Sequence, residues 1–391
     1  MELKHSLAFR HCYFWLFAFI GIWGTLLGPY LEGLGFSGKQ VGYIIAAAPI
    51  ASVFIPPLWG MLSDRLGSAI FPLRFALFSS TLLLFPLPWI TTFEVMLPLY
   101  ALFAMLRAGT AALLDSITLA VIDEKGGDYG RIRLFGSLGF VICGMGVAFL
   151  ADATSDVIIV WGMLVAQGIA ALSTLIIPKA RRPKTKSYLK DVKTLFAQKG
   201  FALFIFTSFL AQVAMAGPLV FYPVYLKATG SSNAFVAAFW CVGSAAEIIL
   251  LMYAAKLAPR FGWGKLYIVS IAALVVRFAP LLFTEAAIPV MALQVLHALT
   301  FGGFFYVSVH FARACAPPAV QASAQTFLIA FAFGLANGLG ILISGFIYDE
   351  SGIHGVLVFC LIFSFAAIAF ALPTAKYMNA TLSREAPAES H

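Results

Sequence analysis

Six ionisable side chains lie inside long apolar stretches of this chain: Arg107, Asp115, Glu247, Arg277, His297 and His310. A charge at the centre of a lipid bilayer costs about 2.5–3.5 kcal/mol on insertion scales, so such groups need a partner or a water-filled cavity. Acids, permanent cations and a histidine in such a place can bind a polar solute or exchange a proton. Their types and positions therefore indicate solute or proton chemistry within the apolar part of the chain.

The first group of charges centres on Asp115 and on the stretch DYGRIRLFGSLGF, which begins at Asp128. Arg133 follows Asp115 by 18 positions, at the start of the next apolar run. Arg131 lies two positions before Arg133, about 200° round a helix, so it should face the lipid headgroups when Arg133 faces inward. We interpret Arg131 as a topology signal, and Arg133 as the partner of Asp115 at a substrate site. The alternative is that Asp115 only stabilises packing through a hydroxyl or an arginine.

The second group comprises Glu247, Arg277 and His297, near the middles of three successive apolar runs. Arg277 close to Glu247 would favour the charged carboxylate, and separation of the two in a drier state would favour the protonated acid. A protein with two conformations could use this switch to take up a proton in one and release it in the other. A static buried ion network is the alternative.

Further polar or aromatic residues are candidates for the same solute path. Arg107, two turns before Asp115, could pair with that acid or bind a carboxylate of the solute. Gln212 and Asn337 could face the path, or could equally make interhelical hydrogen bonds, which contribute about 0.6 kcal/mol on average. Phe140 could supply an aromatic wall.

The composition indicates that the apolar runs that contain these residues lie in a membrane. The chain is 61% hydrophobic and only 11% charged, whereas a soluble domain carries about 25% charged residues. The apolar runs are long and do not alternate, which predicts membrane-spanning helices and excludes an outer-membrane barrel. The net charge of +8 lies between the apolar segments, as topology signals do, so nucleic-acid binding is not expected. Five cysteines without a CxxC spacing predict neither a disulfide framework nor a metal site, and no nucleophile–base constellation suggests an enzyme.

Breaks at Gly, Pro and charged residues predict twelve spans, and an even number of spans places both termini on the same side. With the termini in the cytoplasm, 20 of the 25 basic residues lie on the inner side, as the positive-inside rule requires. The predicted spans are 12–34, 41–62, 69–90, 95–121, 134–151, 156–178, 200–226, 234–257, 266–284, 287–312, 321–347 and 354–375.

The chain is predicted to consist of two six-helix bundles, 1–178 and 200–391, joined by a basic cytoplasmic linker at 179–199 and ending in a short cytoplasmic tail. A shift of 195 positions supports this division, because it places YLKATGSSNAFV over YLEGLGFSGKQV and AKLAPRFG over GMLSDRLG. Two parallel repeats of this kind are typical of transporters whose substrate site lies between the repeats at the middle of the membrane.

The stretch GMLSDRLG, after the second span, resembles the signature of the major facilitator superfamily. The resemblance implies an all-α fold of twelve helices in two pseudo-symmetric bundles, and a role in conformational gating for the signature residues and their second copy. Ser68 and Ala69 stand where the family has basic residues, and the second copy has Pro259 in place of the acid. The gating residues implied by the resemblance are Gly60, Asp64, Arg65, Gly67, Arg260 and Gly262.

DYGRIRLFGSLGF, SAAEIIL, LVVRFAP and LQVLHALTFGGFF resemble stretches of two branches of this superfamily, the phenylpropionate permeases and the lactose permease-type oligosaccharide:proton symporters. The resemblance implies substrate binding by Arg133 with Asp115, and coupling roles for Glu247, Arg277 and His297. Lactose permease has a proton-carrying Glu where this chain has Thr300. The proton is therefore expected on Glu247 or Asp115, and the stretches match the phenylpropionate branch more closely.

These observations predict a secondary transporter of the bacterial inner membrane, and by resemblance a proton symporter that imports an aromatic acid such as 3-phenylpropionate. Its expected partners are the solute, the proton and the lipid bilayer. The expected state is a monomer, with no cofactor and no metal, because the proton gradient supplies the energy. A sugar or nucleoside:proton symporter is the leading alternative. A drug:proton antiporter and a non-transporting receptor or scaffold are less well supported.

Overall fold

The computed structural model describes residues 3–178, 199–284, 286–316 and 321–382. The predicted linker at 179–199, apart from Lys199, and the last residues of the predicted tail lie outside these ranges. All the regular structure in these ranges is helical. The α-helices are α1 (Leu3–Gly33), α2 (Gly38–Leu66), α3 (Ile70–Leu84), α4 (Phe93–Arg107), α5 (Thr110–Lys125), α6 (Tyr129–Ala153), α7 (Val157–Ser173), α8 (Lys199–Ala228), α9 (Asn233–Phe261), α10 (Trp263–Phe278), α11 (Ala287–Gln294), α12 (Phe304–Ala314), α13 (Gln321–Leu328) and α14 (Asn337–Leu382).

Eleven helical stretches of the described residues are long and apolar enough to cross a membrane. The last stretch, Ala324–Leu382, has 59 residues, about 90 Å at 1.5 Å per residue, which is more than the two times roughly 20 residues that two bilayer crossings require. Gly352 interrupts it with φ 61° and ψ −160°, a backbone conformation that glycine adopts readily. Divided at Gly352, the stretch is long enough for two crossings, which gives twelve candidate crossings in the described ranges, as the sequence predicts.

The predicted fourth span, 95–121, lies within one apolar stretch, Phe93–Lys125, which a break divides into two helices. α4 ends at Arg107 and α5 begins at Thr110, with Gly109 between them at φ +86°. A Cβ on Gly109 would lie 3.1 Å from the Cβ of Pro56, so a side chain there would be both strained and crowded. Arg107 and Asp115 consequently lie on separate helices, and the spacing of two turns along one continuous helix does not hold.

Two further spans contain a segment of π-helix. Ala298–Gly303 lies between α11 and α12, and Ile329–Ala336 lies between α13 and α14. Phe301 of the first segment and Phe333 of the second are in edge contact, with ring centroids 5.9 Å apart. π-Helical turns are rare and occur frequently at functional sites, and the first segment contains Thr300.

The structure divides into two compact units. Met1–Lys186 with Pro223–Ala238 forms the first, and Ser187–Tyr222 with Phe239–His391 forms the second. α2 and α9 each have 29 residues and begin 195 positions apart, at Gly38 and Asn233, as the sequence repeat implies. Gly67 after α2 and Gly262 after α9 both have positive φ, so glycine ends the corresponding helix in each copy.

In the first unit α1 packs along α6 and α7. α1 and α6 approach so closely that a Cβ on Gly139 would collide with the carbonyl of Phe14, and one on Gly21 with the carbonyl of Phe140. Small residues at such an interface let two membrane helices come into backbone contact. This close approach brings side chains of α1 next to the charged residues of α6.

The first unit also includes the connection between α8 and α9. Both carboxylate oxygens of Asp152 accept backbone hydrogen bonds, from Asn233 N at 2.7 Å and Ala234 N at 2.9 Å. Asp156 accepts from the Asn233 side chain at 2.8 Å and lies 3.4 Å from Lys227 Nζ. Asp152 thus caps the start of α9, where unpaired N–H groups favour an acid.

Candidate functional site

Arg133 and Arg131 occupy different environments on α6. The helix begins at Tyr129, four residues before Arg133, because the Asp128 side chain accepts the Arg131 backbone N–H at 3.2 Å and caps the helix. The Arg131 side chain is 81% exposed and lies 3.4 Å from Asp128 Oδ2. Arg133 is half-buried. The exposure of Arg131 agrees with the topology role that the sequence predicts for it.

The Arg133 guanidinium lies in an aromatic slot. Its Cζ is 3.7 Å from the ring centroid of Phe17 and 5.6 Å from that of Tyr13, both on α1. Gly136, one turn later on α6, leaves the remaining room, since a Cβ there would lie 2.7 Å from an Arg133 terminal nitrogen. A guanidinium over the face of an aromatic ring is attracted by the ring quadrupole. The rings and the glycine thus fix the position of the cation.

Asp115 of α5 is held by two tyrosines. Tyr13 Oη donates to Asp115 Oδ1 at 2.5 Å, and Tyr129 Oη donates to the same oxygen at 3.0 Å. In the described part of the chain, however, no ion pair joins the acid to the arginine. The direct Asp115–Arg133 pair that the sequence suggests is therefore absent, and Tyr13 contacts both groups instead.

Arg107 is fixed separately at the end of α4. Its Nε donates to Gln167 Oε1 at 3.3 Å, and a terminal nitrogen donates to the carbonyl of Leu16 at 3.3 Å. Its Cζ lies 4.1 Å from the ring centroid of Phe19. Gln167 is fully buried and donates to Ser80 Oγ at 2.7 Å, so both ends of its amide are used. Arg107 thus has its own supports and does not pair with Asp115.

In the second unit the two terminal nitrogens of Arg277 are hydrogen-bonded to neutral acceptors, and its Nε is buried without a hydrogen-bond partner in the described residues. Its side chain is 1% exposed. One terminal nitrogen lies 3.0 Å from His297 Nδ1 and donates to Thr300 Oγ1 at 3.0 Å, while the other donates to Gln294 Oε1 at 2.7 Å. Gln294 is also buried, and its amide donates to the carbonyl of Val290. The cation is therefore held by hydrogen bonds without a direct carboxylate contact among these partners.

His297 connects Arg277 to Glu247. A guanidinium can only donate, so His297 Nδ1 accepts from Arg277 and the ring proton resides on Nε2. Nε2 lies 3.6 Å from Glu247 Oε2. Gly243 and Gly302 leave room for the two side chains, since a Cβ on Gly302 would lie 2.8 Å from Glu247 Cγ and one on Gly243 3.0 Å from His297 Cβ. The structure brings the predicted Glu247, Arg277 and His297 together in one chain of contacts.

The other predicted site residues are dispersed. The Asn337 side chain, at the start of α14, donates to the carbonyl of Phe333 in the preceding π-helical segment at 3.0 Å. Gln212 of α8 is 1% exposed, and its Oε1 is buried without a hydrogen-bond partner in the described residues. Phe140 is half-buried on α6, with its carbonyl against Gly21. Their substrate role stays a prediction.

The predicted gating residues lie at the ends of α2 and α9. Gly67 caps α2 in the left-handed conformation, and Arg65 and Arg260 are exposed in the last turns of α2 and α9. A Cβ on Gly60 would meet no atom within 4 Å, so no contact in this structure requires glycine there. Their role in conformational exchange also stays a prediction.

Sequence reasoning missed the residues that hold the charges. Tyr13, Phe17 and Gln167 lie in apolar runs without a distinguishing spacing, and only the packing of α1 on α6 and α7 brings them to the arginines. Tyr129 and Gly136 stand within DYGRIRLFGSLGF itself, one turn from Arg133 on either side. That helical spacing is the one signal that could have identified two of these five residues.

Comparison with known proteins shows to which class of protein this chain belongs. The chain matches the MFS_1 like family over residues 7–373 and belongs to it. It is therefore a multi-pass membrane transporter and not an enzyme, as the sequence predicts, and its relatives support secondary transport. These findings confirm the fold class and the family that the sequence motifs indicated.

Several named relatives cover nearly the whole chain. A Bacillus subtilis transporter, YwbF, is 28% identical over 94% of both chains, and the maltose permease of Geobacillus stearothermophilus is 25% identical over 93% of both. The "Probable 3-phenylpropionic acid transporter" of Escherichia coli is 26% identical over 88% of this chain and 91% of its own. The crystal structure of the nucleoside transporter NupG superposes with a TM-score of 0.83 at 23% identity, covering 97% of this chain and 99% of that one, which shows a shared fold.

Proposed function

We propose that this protein is a proton-coupled symporter that imports a small aromatic carboxylate such as 3-phenylpropionate by alternating access. The observation that carries the substrate class is the Arg133 guanidinium in its slot of aromatic rings, without an acid paired to it in the described residues. A guanidinium binds a carboxylate through two parallel hydrogen bonds, and aromatic faces suit an aryl group. The relative from Escherichia coli that is named for 3-phenylpropionic acid supports the same class.

The proposed proton carrier is Glu247. It is the titratable acid of the second cluster, and its side chain is 20% exposed whereas His297 is 6% exposed. Because Arg277 fixes the His297 proton on Nε2, the histidine presents a donor to Glu247 when the acid is ionised. Movement of Glu247 away from this donor would favour its protonation, since a buried carboxylate without partners is costly. Asp115 is the second candidate for the proton.

The experiment that tests this function is uptake into proteoliposomes with an imposed pH gradient. Labelled 3-phenylpropionate should accumulate when the outside is acidic, and accumulation should collapse when a protonophore removes the gradient. Glu247→Gln should abolish accumulation and keep exchange of internal for external substrate, because exchange needs no net proton movement. Accumulation that survives in Glu247→Gln would contradict the role of Glu247 and move the proton to Asp115. Uptake that ignores the pH gradient would contradict proton coupling.

A nucleoside or sugar symporter is the second candidate, favoured by the relatives and by the solved structure with the same fold. In that case Asp115, Tyr13 and Tyr129 would bind hydroxyl groups beside Arg133. Competition separates the two candidates. In a nucleoside or sugar symporter, unlabelled uridine or maltose inhibits uptake of the labelled substrate, and benzoate or cinnamate does not. Arg133→Lys tests the carboxylate candidate in another way. A lysine retains the charge but loses the bidentate geometry, so affinity for a carboxylate should be reduced and not abolished.

A further inference from the structure

Asp115 and Arg133 carry opposite charges on consecutive helices, yet each is bound to something else. Asp115 Oδ1 accepts both tyrosine hydroxyls, from Tyr13 at 2.5 Å and Tyr129 at 3.0 Å. Arg133 rests on Phe17 and on the ring of Tyr13. Tyr13 is fully buried, so its position is set by packing.

Such a separation needs a cause, because opposite charges attract strongly where water is scarce. The two O–H donors provide one, since both bind Asp115 Oδ1 and compete with an arginine for that oxygen. The aromatic slot provides the other, since it holds the guanidinium by cation–π contacts that an acid does not share. Both causes meet in Tyr13, whose hydroxyl binds the acid and whose ring faces the cation.

We propose that Tyr13 and Tyr129 are positioning residues that keep Asp115 from neutralising Arg133, and that they thereby reserve the guanidinium for an anionic solute. The inference rests on the proposed function for the identity of the solute. Without the hydroxyls the carboxylate turns to Arg133 and occupies the donors that a substrate carboxylate would use. The tyrosines thus act by holding the Asp115 carboxylate away from Arg133, and they do not contact the solute.

The consequence is an unusual order of effects among variants. Removal of both hydroxyls, in Tyr13→Phe with Tyr129→Phe, lowers the affinity for a carboxylate about tenfold or more, because a new ion pair must first be broken. Addition of Asp115→Asn to this double variant restores the affinity, because a neutral amide cannot neutralise the arginine. If the tyrosines served only in packing, adding Asp115→Asn to the double variant would not restore the affinity.

The test uses purified full-length protein and two measurements. The first is binding of 3-phenylpropionate by isothermal titration. The second needs no substrate: modification of Arg133 by p-hydroxyphenylglyoxal, quantified by peptide mass spectrometry. An arginine paired with an acid reacts more slowly, so modification should fall in the double variant and return in the triple variant. Tyr253→Phe, at an exposed position of α9, is the matched control and should change neither measurement.

The outcomes separate the inference from the proposed function. Unchanged Arg133 modification in the double variant, or a triple variant that stays as low as the double, overturns the inference. If Arg133 modification follows the expected pattern but the protein binds no aromatic carboxylate, the proposed substrate is overturned. The inference that the tyrosines keep Asp115 from Arg133 is then upheld. Should the double variant fail to fold, Tyr13→Phe and Tyr129→Phe are measured singly, and each must lower Arg133 modification and regain it with Asp115→Asn.

Discussion

Each unit has an arginine at its candidate site, and the two arginines differ in burial and in the groups that they contact. Arg277 in the second unit is surrounded by acceptors from Gln294, Thr300 and His297 and is sealed from solvent. Arg133 in the first unit is half-buried and lies against aromatic faces. A cation whose terminal nitrogens are hydrogen-bonded organises its surroundings, whereas a cation on ring faces keeps donors for a ligand. This difference agrees with the proposed function, in which the second unit carries the proton and the first binds the solute.

The largest effect is expected from replacing the two arginines in parallel. Arg277→Ala leaves at least two buried acceptors without a donor and should destabilise the protein by about 3 kcal/mol or more. Arg133→Ala removes only ring contacts, so its melting temperature in detergent should stay close to that of the unaltered protein while uptake is abolished. Thermal unfolding followed by tryptophan fluorescence measures the first effect, and proteoliposome uptake the second. Equal destabilisation by the two replacements would remove the distinction between the units.

The next effect concerns the glycine beside Arg133. Gly136→Ala places a Cβ 2.7 Å from the guanidinium and should lower uptake roughly 10- to 100-fold, since displacements of about 1 Å at a site cost that much. Gly146→Ala on the same helix is the matched control, because a Cβ there meets no atom within 4 Å. Initial uptake rates at equal protein density measure both. Similar rates in the two variants would show that the slot is not needed.

A smaller effect is expected where Arg277 loses one acceptor of three. Thr300→Val keeps the volume of the side chain and removes the hydroxyl, so the protein should lose about 1–2 kcal/mol of stability. Proton-driven accumulation should persist, because Glu247 and His297 remain in place. The shift in melting temperature and the accumulation ratio are the measurements. Loss of accumulation with full exchange would instead assign Thr300 a part in coupling.

The smallest effect is expected at Arg131. Its exposed side chain pairs only with Asp128 in the described residues, and exposed substitutions usually change stability by less than about 0.5 kcal/mol. Arg131→Ala should therefore keep both affinity and stability, in contrast to Arg133→Ala two positions later. Substrate affinity by isothermal titration tests this directly. A marked loss of affinity would show that both arginines serve the site.

Much of the architecture could be predicted from residue types. Long apolar runs require membrane helices, and the 195-residue repeat anticipates the equal lengths of α2 and α9. The break at Gly109 could not be predicted with the same certainty. A single glycine is tolerated inside many helices, and here its positive φ and the nearby Pro56 separate α4 from α5.

For the candidate site, the sequence by itself determined which charges are buried, because an ionisable group stands out in an apolar run whatever its neighbours are. Only the tertiary structure decided what each charge contacts. Hydrogen bonds and cation–π contacts depend on distances of a few ångströms between helices, which the order of residues does not encode locally. The close packing of α1 on α6 therefore brings Tyr13 and Phe17 to the acid and the arginine, and this is why Arg133 lies on rings instead of on Asp115.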